Sequence, residues 1–193
     1  TAVAVLLEPI PGEGGVNMPA PGYLKAVRDW CDEKGLILIL DEIQTGVGRT
    51  GTLWAYEQEG VEPDIMTLAK GLAGGVPIGA MLAREAIAAH LVPGDHGTTF
   101  GANPLAAATG LATMKYVIEQ DLPAKAAKAS EHLQSRLRSL EDRFEEVTEV
   151  RGRGLLLAAG FSKDVAADVV VQCRQRGLLV NNVRPNAIRL MPP

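Results

Sequence analysis

Cysteine is nearly missing from this chain. Cys31 and Cys173 are the two present among 193 residues. They stand far apart, each inside a helix-like stretch, which excludes a disulfide framework and a Cys-x-x-Cys metal site and fits reduced thiols in a cytoplasmic protein. Histidine is almost as scarce: His90, His96 and His132 lack metal-ligand spacing, so zinc chemistry loses support. There is no excess of positive charge. Nineteen Lys and Arg face 23 Asp and Glu, a net charge of -4, with no general attraction for nucleic acid or an anionic membrane. No apolar run approaches bilayer length, and the start lacks the basic flank of a signal peptide. A Walker loop and a Gly-x-Ser-x-Gly elbow are also absent, which removes support for two further chemistries.

What is present is apolar patterning, with 47% hydrophobic residues. Val3–Leu7, Leu36–Leu40, Ile65–Leu68 and Ile78–Leu82 read as strands buried on both faces, alternating with amphipathic stretches, the pattern of a parallel α/β sheet covered by helices. Pro21–Glu33 is predicted as the helix of a βαβ unit, with Gly35 as its stop. Asn103-Pro104 reads as a cap and first turn of a helix running to about Glu119, with small residues suited to close packing. Past Asp121 the chain becomes more charged, over a predicted helix Ala124–Arg143. Arg151–Gly154 then introduces a strand to Phe161, and a helix Asp164–Arg176 and strands Leu178–Asn181 and Ala187–Leu190 follow. This divides the chain into a large α/β domain, residues 1–120, and a small α+β domain, residues 121–193. The strand-like start without an initiator Met and the end directly after a strand read as a fragment.

Two strand ends carry the chemistry. Asp41 follows Leu36–Leu40 directly and projects where open α/β sheets bind ligands, although a carboxylate there also serves to cap a loop. Lys70 stands where an apolar run gives way to glycines; taken alone it reads as a surface lysine, but a buried amine in a crevice loses proton affinity and becomes nucleophilic. A carboxylate and an amine at neighbouring strand ends suit pyridoxal phosphate, which needs one covalent amine and one cation-stabilising carboxylate. Gly46-Val47-Gly48-Arg49-Thr50-Gly51 has dinucleotide-fingerprint spacing, but no strand ends against it and no helix follows at once, so it reads as a flexible loop over a site. His96 lies in a loop whose Thr98 and Thr99 suit an anion, or simply a Thr-rich turn.

Asp41-Glu42-Ile43-Gln44-Thr45-Gly46, Pro63-Asp64-Ile65, Lys70-Gly71-Leu72-Ala73-Gly74-Gly75 and Gly97-Thr98-Thr99-Phe100, in this order, resemble the class III pyridoxal-phosphate aminotransferases. Glu8-Pro9-Ile10-x-Gly12-Glu13 and Ile188-Arg189-Leu190-x-Pro192-Pro193 are similar to the acetylornithine and ornithine branch. The resemblance implies fold type I, with part of the large cofactor domain and part of the small one, in a homodimer with shared sites. It implies that Lys70 forms the Schiff base, Asp41 pairs with the pyridine nitrogen, and Gln44 lies near the phenolic oxygen. Thr98 and Thr99 would reach the partner subunit's cofactor phosphate. Arg189 would hold the carboxylate of 2-oxoglutarate or glutamate, and Glu13 would compete for it when an N-acetylornithine-like donor is bound. A cofactor-stacking aromatic and a phosphate loop are expected before Thr1.

Two positions depart from the family pattern, Pro11 in place of Gln and Ala102 in place of Gly. The enzymatic rivals are an ornithine, succinylornithine or 4-aminobutyrate aminotransferase, or an aminomutase. The rival of another class is a catalytically inert scaffold or dimerisation piece.

Overall fold

A computed structural model describes residues 2–193; Thr1, at the head of the first predicted strand, lies outside the described residues. Strand β1 (Ala4–Leu7), helix α1 (Tyr23–Lys34) and strand β2 (Ile37–Asp41) form the expected βαβ unit, with β1 and β2 parallel from Ala4 against Ile37 to Leu7 against Leu40. Gly22 and Gly35 bracket α1 in left-handed conformations that glycine adopts without a Cβ penalty, so Pro21 lies just outside the helix. Strand β3 (Ile65–Leu68) joins β2 in parallel, with Asp41 against Thr67.

Strand β4 (Ala80–Ala83) corrects the all-parallel expectation, because it runs antiparallel to β3. The chain between them holds one 3₁₀ turn, Lys70–Ala73, and the Gly74-Gly75 pair. That is too little for a crossover helix, so the chain reverses. Burial on both faces is corrected as well. Leu38, Leu40, Met66 and Leu68 share one buried face, packed on Leu24 and Cys31 of α1 and on Trp54, Tyr56 and Leu72. Burial pushes the Cys31 thiol up, so it is an inert core group. The opposite face carries Asp41 and Thr67, and there Leu6 is 65% and Met81 53% exposed.

Asp64 pins this sheet. Its Oδ2 accepts from the Leu38 N–H at 2.7 Å and from Arg28 Nη1 at 2.7 Å, and Arg84 approaches its Oδ1 at 3.6 Å. One carboxylate thus ties α1, β2 and the segment after β4 together. Burial raises its proton affinity, but the Leu38 N–H and the Arg28 guanidinium outweigh that and hold the carboxyl below the usual carboxylate range.

After the short helix α2 (Glu85–Ala88), Asn103 caps helix α3 (Pro104–Glu119) by accepting from Ala106 N–H at 3.1 Å. Ala106 and Gly110 let α3 lie close on the Lys70–Ala73 turn. Helix α4 (Leu122–Glu141) leads to a second sheet of strands β5 (Val147–Arg153), β6 (Leu156–Phe161), β7 (Asn181–Arg184) and β8 (Ala187–Leu190), in the antiparallel order β5-β6-β8-β7, with helix α5 (Ala166–Gln175) against it. Strand β5 was not among the predicted strands, because Glu149, Arg151 and Arg153 with Gly152 break the apolar alternation. Strand β7 begins later than predicted: Leu178 and Leu179 follow the left-handed Gly177 and are exposed. No helix among the described residues is long and apolar enough to cross a membrane.

Removing the Asp64 carboxylate leaves Arg28 in a half-buried site without its main partner. Asp64→Ala is expected to destabilise the protein by roughly 3 kcal/mol, read as a lowered urea midpoint; an unchanged midpoint would refute the pinning role. Because the folded-state pKa is depressed, this contribution is present above the ordinary aspartate range and lost as pH falls through the folded value, so the gap between variant and parent should close in acid. Ala102 has φ of 52°, a left-handed conformation strained for any residue with a Cβ. Ala102→Gly should therefore gain about 1 kcal/mol, and a lowered midpoint for this variant would contradict the strain.

Candidate active site

The parallel strands β2 and β3 end side by side, joined by a last rung in which Glu42 N–H donates to the Thr67 carbonyl at 3.0 Å. Asp41 ends β2 on the less covered face. Its Oδ1 accepts from Ile43 N–H at 2.9 Å, and its Oδ2 has no partner among the described residues. Beyond β3 the backbone enters a left-handed conformation at Lys70, φ 45°. Lys70 is exposed, not buried as the apolar run before it suggested, and among the described residues its amine has no hydrogen-bond or ion-pair partner. It borders a cavity of about 370 Å³ together with Ile43, Gln44, Val47, Arg49 and Lys125.

Gln44, Glu13 and Arg189, from three separate segments, meet in one cluster. Gln44 Nε2 donates to Glu13 Oε1 at 2.7 Å, Arg189 Nη1 donates to the same oxygen at 2.8 Å, and it also donates to Gln44 Oε1 at 2.9 Å. Gly12 makes room for the glutamine, since a Cβ there would lie 2.3 Å from Gln44 Oε1. The hydrogen bonds from Arg189 and then Gln44 hold the Glu13 carboxyl below its usual range against a small desolvation, and the Lys70 charge acts in the same direction. Lys70 and Gln44 border the same cavity, which places Lys70 near the cluster.

Thr98 and Thr99 are exposed on the loop before Asn103 and do not border the Lys70 cavity; Thr98 Oγ1 accepts from Gly101 N–H at 3.0 Å. The Gly46–Gly51 segment borders the Lys70 cavity, as expected of a loop over a site, but it is packed into the protein instead of lying open. Gly46, Gly48 and Thr50 are buried, Arg49 donates to the carbonyls of Leu155 and Pro192, and Gly154 packs so tightly on Arg49 and Thr50 that a Cβ would lie 2.4 Å from backbone atoms. The segment is a closely packed junction between the two sheets. Sequence reasoning also missed Glu42, which is 1% exposed and accepts from the Thr45 hydroxyl and from Tyr56 N–H at 3.0 Å. Burial pushes its carboxyl up. It organises the turn that presents Gln44, and its motif position gave no hint of that.

This fold, with an amine and a carboxylate at adjacent strand ends, is that of the fold type I pyridoxal-phosphate enzymes. Within them, the chain belongs to the class III aminotransferases, matching the family Aminotransferase class-III over residues 1–193. It is 46% identical over 190 residues to an acetylornithine aminotransferase of Caldanaerobacter subterraneus subsp. tengcongensis, covering 98% of this chain and 48% of that protein. The structure is similar to an ornithine aminotransferase from Toxoplasma gondii ME49, with TM-score 0.94, 41% identity, and coverage of 98% and 46% of the two chains. An acetylornithine aminotransferase from Elizabethkingia anophelis gives TM-score 0.93 and 39% identity, with coverage of 98% and 51%. The chain spans about half the length of the curated relatives it matches. Class III aminotransferases depend on pyridoxal phosphate, and the residues here fit that group: an unpartnered amine and a carboxylate with one free oxygen are the two groups it requires.

Since the folded-state pKa of Glu13 is lowered, its pairing with Arg189 persists above the ordinary glutamate range and opens as pH falls through the folded value. The Glu13 side-chain carboxyl carbon, followed by NMR, is expected to titrate below a free glutamate, and Arg189→Met should return it toward the ordinary range. Identical titrations in parent and variant would refute the pairing.

Proposed function

We propose that the chain carries the amine and carboxylate side of an aminotransferase site, in an enzyme that moves an amino group from N-acetylornithine, or a related ω-amino donor, to 2-oxoglutarate. The observation that carries this reading is the Glu13–Gln44–Arg189 cluster, gathered from three segments beside Lys70. Relatives described as acetylornithine aminotransferases, 42 to 46% identical, support the acetylated donor. Solved structures described as ornithine aminotransferases support the wider class of ω-amino donors.

When bound, pyridoxal phosphate supplies a conjugated ring that takes up the electron pair left as the substrate C–H bond breaks. Lys70 Nζ would hold the cofactor covalently and, when released from it, move the proton of the amine-bearing carbon. Asp41 Oδ2, free of the Ile43 contact, would keep a proton on the pyridine nitrogen, and Gln44 would lie beside the phenolic oxygen. Arg189 would bind the α-carboxylate of 2-oxoglutarate through two N–H donors. With the ω-amino donor bound, Glu13 would keep Arg189 occupied, so that one pocket serves two unlike substrates. Thr98 and Thr99, which do not border the Lys70 cavity, would bind the phosphate in the partner subunit of a homodimer.

Adding pyridoxal phosphate should give a bound-cofactor absorbance that vanishes on borohydride reduction and leaves the label on Lys70. No absorbance would favour the inert-scaffold reading, and equal labelling of Lys70→Ala would refute the assignment of Lys70. Half-reaction rates should favour acetylornithine over ornithine and 4-aminobutyrate; no such preference would refute the narrower donor. Arg189→Ala should lower kcat/KM for 2-oxoglutarate about 10- to 100-fold, the scale of a lost charge-assisted pair.

A further inference from the structure

The segment that carries Glu13 has no helix or strand of its own between β1 and α1, yet it is firmly docked on the second sheet. Ile10 and Val16 are buried against Leu156 and Ala158 of β6. Between these anchors Arg151 of β5 donates to the Gly15 carbonyl through Nη2 at 2.7 Å and Nε at 3.1 Å, and Arg184 of β7 donates through Nε to the Gly14 carbonyl at 2.9 Å. Gly15 has φ of 119°, and a Cβ there would lie 3.3 Å from Arg184 Cγ and Nε. Only glycine fits that turn under that guanidinium without strain.

Strand register explains why Arg151 and Arg189 act on one loop, while Arg184, opposite Ala187, reaches it from the neighbouring pair two residues before Arg189. Arg151 stands opposite Ala158, Ala158 opposite Arg189, and Arg189 opposite Asn181, so the four form one cross-strand row on one face. Ala158, fully buried in the middle, leaves room for the loop to cross. Arg151 and Arg184 sit on the two edge strands and Arg189 on the strand between β6 and β7. The loop is therefore held from both edges of the sheet, with Glu13 presented to the arginine between them.

This matters because Glu13 is itself 67% exposed on its side chain. An exposed ion pair gains little and must fix two flexible side chains. Fixing the backbone beforehand removes part of that cost. We propose that Arg151 and Arg184 are positioning residues that set the discrimination between an α-carboxylate substrate and an ω-amino donor, by holding Glu13 against Arg189. The proposal rests on the Glu13–Arg189 exchange described above. A loosened loop leaves Arg189 free, so glutamate is still bound. The ω-amino donor is then drawn by its own α-carboxylate into an unproductive position.

The test compares first half-reaction rates with the ω-amino donor and with glutamate in the pyridoxal-phosphate-loaded protein, for the parent, Glu13→Gln, Arg151→Met, Arg184→Met and the Glu13→Gln/Arg151→Met double variant. Glu13→Gln should lower the donor-to-glutamate ratio. Arg151→Met and Arg184→Met should each lower it in the same direction by about ten-fold, the scale of one charge-assisted hydrogen bond. Arg151→Met should add nothing in the Glu13→Gln background, and Arg151→Lys, which keeps the charge, should recover part of the loss. If Glu13→Gln shifts the ratio while both arginine variants leave it unchanged or slow the two half-reactions equally, the positioning role is overturned. If Glu13→Gln itself leaves the ratio unchanged, the underlying exchange is wrong and the positioning role falls with it. Arg184 is exposed on an edge strand, so its variant keeps the test decisive should Arg151→Met fold poorly.

Discussion

The rung between Glu42 N–H and the Thr67 carbonyl is the contact on which the site depends. Up to it, β2 and β3 run as ordinary parallel partners; beyond it, each chain leaves the sheet in a different way. The β2 chain turns at once, with Gly46 N–H returned to the Glu42 carbonyl at 2.9 Å. The β3 chain enters the left-handed conformation of Lys70, which costs a residue with a side chain about 1–2 kcal/mol. That cost is met locally. Leu72 N–H closes on the Ala69 carbonyl at 3.0 Å, and Leu72 and Ala73 are buried beneath the small residues of α3. The helix that looked merely close-packed in sequence holds the strained turn that directs the amine out of the sheet.

A second constraint is the approach of α4 and the second sheet to the Gly46–Gly51 segment. Gly48 and Gly51 have φ of 85° and 98° and lie beneath Pro123 and Ala127 of α4, while Ser130 donates to the Gly154 carbonyl at 2.6 Å. Larger side chains at these positions would move α4 away and take β6 with it. Because Arg189 stands beside β6 and Gln44 precedes Gly46, this glycine junction sets the distance between the two halves of the Glu13–Gln44–Arg189 cluster.

Much of this was legible in sequence, and the exceptions share a cause. The βαβ unit, the Asn103 cap and the strand-end positions of Asp41 and Lys70 follow from local patterns that tertiary contacts reinforce. The direction of β4 was not legible in its apolar run, which does not encode orientation; it is set by the connection from β3, too short for a crossover helix. Strand β5 was hidden by charges that have tertiary partners: Arg151 with the Gly15 carbonyl, and Arg153 with Glu59. Asp64 illustrates the same limit. Its motif pointed to a family, while its three partners lie 26, 36 and 20 residues away, the first two separations being those of Leu38 and Arg28. The Arg189–Glu13 contact spans 176 residues and came only through family resemblance, since no local pattern joins the two.

The unequal burial of that pair bears on which partner moves in the proposed exchange. The Arg189 side chain is 11% exposed and Glu13 is 67% exposed. Withdrawing Glu13 returns a carboxylate to water at little cost, whereas withdrawing Arg189 would require it to leave contacts with Gln44 and β7. With Glu13 gone, Arg189 is left as a poorly solvated cation whose remaining partners are the neutral amides of Gln44 and Asn181, and a charge without a counter-ion of this kind is costly. An incoming carboxylate relieves it. On this reading the fixed cation and the mobile anion are what allow an acidic substrate to open the pair, and the arginines on the neighbouring strands determine how readily Glu13 returns.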